Sequence, residues 1–142
     1  MKVSARNVFA GTVRAYRPGN VNAEVEVDLG GGDHLVAVIT VDSAESLGIA
    51  PGQSVVALVK APWVMVLTDE SGIRLSARNG LRGIVETVTP GTVNGEVVIA
   101  LHGGAKVAAV ITREAIADLG LKPGAPATAI IKASHVVLGV PT

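Results

Sequence analysis

Cysteine is absent from this sequence, and aromatic side chains are nearly so. Without thiols the chain forms neither disulfides nor thiolate metal sites, and its redox compartment stays open. One tryptophan, one tyrosine and one phenylalanine argue against a surface that stacks nucleic-acid bases. Twelve basic residues balance twelve acidic ones, so no net charge attracts the protein to nucleic acid or to an acidic membrane.

Long apolar runs are also missing. The two most apolar stretches, SVVALVKAPWVMVL and AIIKASHVVLGV, are short, and a lysine interrupts each of them. The first residues, MKVSARNVFAG, lack the apolar core and the cleavage signal of a secretory leader. We therefore expect a cytoplasmic protein that does not associate with membranes.

An internal repeat organises the chain. A shift of 72 residues aligns 4–66 with 76–138 without a gap, and 27 of the 63 aligned positions are identical. The polar segment 68–74 contains a glycine and is typical of a linker. We therefore predict two domains, residues 1–67 and 75–142, joined by 68–74.

Each repeat predicts five strands and one short helix. Apolar and polar residues alternate over 21–29, and GGGD turns the chain back into HLVAVIT as a hairpin. DSAESLG begins with capping residues and ends at Gly48, as a helix of one or two turns does. The remaining strands are 7–16, SVVALVK and WVMVL, of which the last closes its own repeat. The predicted fold class is mainly β, with two tandem OB-like, five-stranded Greek-key barrels.

A loss of charge in the second repeat points to an interface. Val98 and Ala100 stand where the first repeat has Glu26 and Asp28, on the outward face of the second strand. Drift on a tolerant surface explains this loss as well as an interface does. A domain of about 70 residues is marginally stable alone, however, so we expect an oligomer.

No pattern typical of catalysis or of a metal centre is present. The three histidines do not correspond under the 72-residue shift, whereas a duplicated metal site would repeat its ligands. The sequence contains no G-x-S-x-G, P-loop or H-E-x-x-H motif. We therefore expect no catalytic residues, no direct protein ligands to a metal ion and no enzyme activity.

What the two copies share is a set of hydrogen-bond donors. Ser4, Arg6, Asn7, Thr40 and Lys60 recur as Ser76, Arg78, Asn79, Thr112 and Lys132. Both lysines lie in the most apolar part of their repeat, where a buried lysine requires a negative charge. The residue after each lysine is an alanine, whose small side chain lets a backbone N–H approach a ligand. The pattern indicates an anion site in each repeat.

Each donor also has an ordinary structural explanation. Arg6 can pair with Glu24 or Glu26 across strands. Lys60 can be exposed at the bend that follows its strand, and Thr40 can act only as a helix cap. A recent duplication also retains many residues that bind nothing, so the anion interpretation depends on the donors being retained together.

Three motifs carry a resemblance to a known family. SARN before the first strand, AVIT running into ITVDS, and KAP or KAS before the last strand resemble the molybdate-binding Mop domain. Two copies in tandem are similar to the di-Mop molbindins, which are cytoplasmic molybdenum-pterin-binding or molybdate-storage proteins. The resemblance implies OB-like barrels, a homo-oligomer that is a trimer of tandem chains, and molybdate, or tungstate as its analogue, held between domains of neighbouring chains.

The resemblance also implies the residues of each site. In the first copy the two walls are Ser4, Arg6 and Asn7, and Thr40, Ser43, Lys60 and the backbone of Ala61. In the second copy they are Ser76, Arg78 and Asn79, and Thr112, Lys132, Ala133 and Ser134. Two positions depart from the family pattern, because Ala115 and Pro62 each replace a serine. Each copy thus lacks one donor that the other keeps, and the sites are expected to differ in affinity.

Two other function classes stay open. One is an OB-like nucleic-acid-binding domain, which the balanced charge and the scarcity of aromatic residues disfavour. The other is a structural or protein-interaction barrel whose donors are incidental. Within the resembled family, a regulator needs a DNA-binding helical domain and a transporter ATPase needs a P-loop, and this sequence predicts neither. We therefore expect storage or buffering of molybdate.

Overall fold

The computed structural model describes all 142 residues and confirms a mainly β fold. The strands of the first repeat are β1 (Asn7–Pro18), β2 (Asn22–Gly30), β3 (Asp33–Thr40), β4 (Ser54–Val59) and β5 (Met65–Leu67). Those of the second repeat are β6 (Asn79–Thr89), β7 (Asn94–Leu101), β8 (Lys106–Thr112), β9 (Pro126–Ile131) and β10 (Val137–Gly139).

Short helical segments complete each repeat. They are α1 (Val41–Ser46), α2 (Arg113–Asp118) and two 3₁₀ turns, Ala61–Trp63 and Ala133–His135. Each α-helix follows the third strand of its repeat, as predicted, and each 3₁₀ turn precedes the last strand. No helix is long and apolar enough to cross a membrane.

The two repeats exchange their last strands. One sheet has the order β10-β4-β1-β2-β3 and the other β5-β9-β6-β7-β8. Val137 of β10 lies opposite Leu58 of β4, and Met65 of β5 lies opposite Ile130 of β9. The prediction that WVMVL closes its own repeat is therefore wrong. Both repeats end in an equivalent strand, so either copy can complete either sheet, and each sheet takes one strand from the other side of the proposed linker 68–74.

The inner faces of both sheets form one hydrophobic core. On β2, Ala23, Val25 and Val27 are buried, while the glutamates between them are partly exposed, as the alternation predicted. Buried residues of both repeats belong to a single contiguous cluster. Val21 was predicted on the inward face, but it lies before β2 and is exposed.

Two side-chain amides cover the edge strands of the sheets. Asn79 Nδ2 donates to the Val36 carbonyl (2.8 Å), and the Val36 N–H donates to Asn79 Oδ1 (2.7 Å). Asn7 makes the same two bonds with Ala108, at 2.8 and 2.7 Å. Val36 lies on β3 and Ala108 on β8, and both strands are sheet edges with unpaired backbone groups. Each SARN asparagine therefore takes the place of a neighbouring strand and joins its repeat to the other one.

Candidate functional site

The threonines at the ends of β3 and β8 cap the helices that follow. Thr40 Oγ1 accepts the Ser43 N–H (3.1 Å) and donates to Ser43 Oγ (2.8 Å). Thr112 Oγ1 accepts the Ala115 N–H in the same way (3.1 Å). Both threonines therefore cap their helices, and both residues are exposed at the surface.

Lys60 and Lys132 are exposed, so the inference that they are buried is wrong, and the alternative of an exposed lysine at the bend is confirmed for Lys60. The strands before them end one residue earlier, and each lysine stands at the entry to a 3₁₀ turn. The following residues, Ala61 and Ala133, are buried. Lys60 Nζ lies 5.7 Å from the centroid of the Trp63 ring, within the range of a cation–π contact.

The predicted donors of the second repeat converge. One pocket is lined by Ser76, Arg78, Lys132, Ala133 and Ser134, together with Ala77 and Val38. Val38 comes from β3 of the first repeat. Asn79, the next residue of the motif, is used for the bonds to the edge strand, and Thr112 is not part of this pocket.

The corresponding residues of the first repeat converge less completely. Ser4 and Lys60 line one pocket with Trp63 and His135, whose rings lie 4.8 Å apart. Arg6 does not line this pocket.

Thr40 and Ser43 face the second repeat rather than Lys60. They line a pocket of about 630 Å³ that Ser134 also lines, because strand exchange brings the turn Ala133–His135 onto β3. We call this surface the serine groove and define it by the hydroxyls of Thr40, Ser43, Ser46 and Ser134. At about 30 Å³ per water molecule, the groove is much larger than one tetrahedral anion, and in the single chain it is open to solvent.

Glutamates of the opposite repeat bind the two motif arginines. Arg6 donates from Nε to Glu96 Oε2 (3.0 Å) and from Nη2 to Glu96 Oε1 (2.7 Å). Arg78 also binds both oxygens of a carboxylate, but it donates from Nη1 to Glu24 Oε2 and from Nη2 to Glu24 Oε1 (3.2 Å). The hydrogen bond from Arg78 lowers the pKa of Glu24 below its ordinary value and raises the pKa of Arg78. The ion-pair explanation for Arg6 is correct in kind, but its partner is Glu96 of the other repeat.

The two arginine pairs differ in their surroundings. Arg17 also binds Glu24 (3.2 Å) and Glu26 (3.3 Å). The second repeat has Thr89 at the position of Arg17 and Val98 at that of Glu26, so Glu96 has no second arginine. The second repeat therefore lacks both the carboxylate of Glu26, which Val98 replaces, and its ionic partner Arg17.

The predicted site residues are hydrogen-bond donors rather than ligands for a metal cation. No three histidine, aspartate or glutamate side chains are grouped so that they could hold a metal ion. Guanidinium, ammonium and hydroxyl groups are instead the groups that bind an oxyanion. The arrangement can therefore hold a tetrahedral anion at the junction of the two repeats.

Comparison with known protein families supports this interpretation. The family model for the TOBE domain matches residues 3–66 and, again, residues 75–138. The chain belongs to the TOBE-domain family. Its two matched segments give the tandem, di-Mop form that the motifs resemble.

Solved and curated relatives share this tandem arrangement. The tandem TOBE chain is 62% identical to the cytoplasmic molybdate-binding protein ModG in a crystal form with molybdate bound. The two superpose with a TM-score of 0.96, over 99% of this chain and 100% of that one. It is also 48% identical over 141 residues to the molybdenum-pterin-binding protein MopA of Rhodobacter capsulatus, and 47% identical over 140 residues to the molybdenum transport protein ModE of Azotobacter vinelandii.

The curated relatives are longer proteins. The alignment with MopA covers 99% of this chain and 53% of MopA, and that with ModE covers 99% and 52%. The tandem TOBE chain thus spans about half the length of the curated relatives it matches.

Sequence reasoning missed several residues around the site. Glu24 and Glu96 are identical in the two copies, within VNAEV and VNGEV, and this repetition was a usable signal. Ser46 gave no signal, because it belongs to no motif. Val38 lies in the repeated AVIT segment, but only strand exchange brings either residue near Ser134.

Proposed function

We propose that this tandem TOBE protein binds molybdate, with tungstate as an analogue, and stores or buffers it in the cytoplasm without catalysing a reaction. The observation that carries the proposal is the convergence of Ser76, Arg78, Lys132 and Ser134 in one pocket. The chain is 62% identical to the molybdate-binding protein ModG, and the match covers all of that protein, which supports the same ligand.

The chemistry of the pocket suits this anion. Molybdate is a tetrahedral dianion at neutral pH, with four acceptor oxygens and no proton to donate. One arginine and one lysine match its two charges, and charge-assisted hydrogen bonds are the strong ones. Arg78 is bound to Glu24 in the single chain, so we expect it to divide its five N–H donors between that carboxylate and the anion.

We further propose that the protein acts as a homo-oligomer, a trimer, in which domains of different chains close the anion sites. The openness of the serine groove in one chain supports this. An apolar row crosses β1, β4 and β10 at Val8, Leu58 and Val137, and the two valines at its ends are 45% and 56% exposed. Burying such a row on a second copy would supply stability that small domains lack.

A second candidate function has the same ligand but a different consequence of binding it. This chain is 34% identical over 140 residues to the DNA-binding transcriptional dual regulator ModE of Escherichia coli, and covers 52% of it. Anion binding by such a module could regulate the rest of a longer protein instead of storing molybdate.

Native mass spectrometry with and without molybdate, in excess sulfate, tests the proposal. We expect a trimer that gains several molybdates despite the sulfate. Arg78→Ala and Lys132→Ala, in the pocket that carries the proposal, should weaken binding at least tenfold, since hydrogen bonds to charged groups contribute about 1.5–3 kcal/mol, and should leave assembly intact. A folded protein that gains no molybdate would refute the proposal and favour a structural barrel.

A further inference from the structure

The serine groove has a counterpart on the other side of the molecule. The turn Ala61–Trp63 packs against β8, as the turn Ala133–His135 packs against β3. Under the 72-residue shift, the four hydroxyl-bearing residues of the serine groove (Thr40, Ser43, Ser46 and Ser134) correspond to Thr112, Ala115, Asp118 and Pro62. We call this second surface, defined by these four residues, the proline groove.

Strand exchange places both missing donors in the same groove. Along the sequence, each repeat lacks one serine, at Pro62 in the first copy and at Ala115 in the second. In space, the turn that contains Pro62 lies on β8, which leads into the helix that contains Ala115. Ser43 and Ser134, by contrast, line a single pocket. One groove therefore keeps both serines, and the other has neither.

We propose that the two grooves are inequivalent oxyanion sites, and that the serine groove binds the anion more tightly and fills first. This inference rests on the proposed function. Alanine offers no hydroxyl donor, and proline removes both a hydroxyl and a backbone N–H. An ionised aspartate accepts hydrogen bonds and donates none. The proline groove therefore keeps one hydroxyl of the four.

The backbones of the two grooves are nearly the same, so side chains make the difference. Thr40 has φ −69° and ψ 150°, and Thr112 has φ −66° and ψ 148°. Lys60 has φ −71° and ψ 133°, and Lys132 has φ −66° and ψ 133°. A serine at position 62 or 115 would thus stand where Ser134 or Ser43 stands in the other groove.

The serine groove is also continuous with the cationic pocket of the second repeat. Ser134 and Val38 line both of them, so the hydroxyls of the groove and the cationic side chains of Arg78 and Lys132 lie on adjoining surfaces. In the proline groove, Pro62 occupies the position that corresponds to Ser134.

Helix charge works against this order of affinity, but weakly. Asp42 lines the serine groove itself, and Glu114 holds the corresponding position in the proline groove, so this carboxylate does not distinguish the two grooves. Helix α1 carries Asp42 and Glu45, whereas α2 carries Glu114, Asp118 and Arg113, which makes α2 less negative by one charge. These charged side chains are exposed, and salt screens exposed charges at physiological ionic strength. The hydroxyl groups that donate directly to the dianion are therefore expected to decide which groove binds it more tightly.

Reciprocal variants test the proposal in the intact protein. Ser43→Ala with Ser134→Ala removes two of the three serines of the serine groove and leaves Ser46 in place. Pro62→Ser with Ala115→Ser adds the two corresponding serines to the proline groove. Ser43→Ala leaves the helix cap in place, because Thr40 accepts a backbone N–H. Ser54→Ala with Thr92→Ala removes two exposed hydroxyls elsewhere as the matched control. Circular dichroism and native mass establish folding and assembly, and calorimetric titration with molybdate gives affinities and stoichiometries.

We expect two affinity classes in the wild-type protein. The first double variant should weaken the tighter class at least tenfold, and the second should strengthen the weaker class. A single affinity class, or a first double variant that binds like the control, would overturn the inequivalence and leave the proposed function standing. A folded wild-type protein that binds no molybdate would overturn both.

Discussion

The rings of Trp63 and His135 lie against each other, tilted by 35° with centroids 4.8 Å apart, and the two residues occupy the same position in their own repeats. The pseudo-two-fold axis that relates the repeats therefore passes close to this pair. Exchange of the last strands produces the contact, because both residues belong to the turns that lead into those strands.

The same pair provides an optical signal for ligand binding. Trp63 is the only tryptophan, its side chain is 44% exposed, and Lys60 Nζ lies 5.7 Å from its ring. An anion that attracts Lys60 would change this contact, so titration with molybdate is expected to change the tryptophan emission. Lys60→Ala should remove most of that change, while Lys122→Ala, at an exposed turn, should not. Identical titrations of wild type and Lys60→Ala would contradict the assignment of Lys60 to the site.

Asn79 is expected to contribute strongly to stability. It is 3% exposed, and truncation to alanine would leave the Val36 N–H and carbonyl unpaired at a buried edge strand. Each unpaired group costs about 1–3 kcal/mol, so Asn79→Ala should lower the free energy of unfolding by about 2–5 kcal/mol. Urea unfolding followed by circular dichroism measures this. Asn20→Ala, at an exposed turn, is the control and should change stability by less than about 0.5 kcal/mol. Equal effects of the two variants would show that the amide does not join the repeats.

The ion pair of Glu24 should make stability depend on pH. Its hydrogen bond with Arg78 lowers the pKa of Glu24 in the folded state below the ordinary value of 4.5. A carboxylate with a lowered pKa stabilises the fold above its ordinary pKa, and this contribution is lost as the pH falls through the lowered value. The stability difference between wild type and Glu24→Gln should therefore be full near pH 6 and shrink below pH 4.5. Urea midpoints between pH 6 and about 3 measure this difference.

Removing the partner provides the control for this prediction. In an Arg78→Gln background, the pH dependence of the Glu24→Gln effect should be smaller, because only Arg17 still binds Glu24. An unchanged dependence would assign the effect to Arg17 instead. The pair is exposed, so its total contribution is expected to be small.

Periodicity and turn chemistry were sufficient to predict the elements of each repeat. Alternation over β2, the glycine-rich turn after it and the Thr40 cap are local features, and local features specify local structure. The partner of a strand is not local. WVMVL and its counterpart are equivalent, so neither sequence indicates which sheet it completes.

The same reasoning explains what was missed at the candidate site. SARN and the lysine segment were found because they repeat, and Ser76, Arg78 and Lys132 do share a pocket. The grouping of Thr40 with Lys60 was inferred within one repeat, whereas the structure brings Thr40 toward Ser134. For Lys60 the sequence left burial and exposure at the bend both open, because apolar neighbours along the chain did not reveal that the strand ends at Val59.

The contact between the two hairpin tips is expected to tolerate no side chain. Gly103 donates its N–H to Asp33 Oδ2 (2.9 Å), and a Cβ at Gly103 would overlap that oxygen and lie 2.8 Å from the Gly30 carbonyl. Gly103→Ala should therefore lower the free energy of unfolding by about 1–3 kcal/mol, as overpacking does. Gly80→Ala is the matched control, because its Cβ would meet Ile130 at an ordinary 3.6 Å. Replacing glycine in a strand should stabilise by about 0.5–1 kcal/mol. Thermal unfolding of both variants would decide the matter, since equal shifts would mean that the contact between the hairpin tips adds nothing to stability.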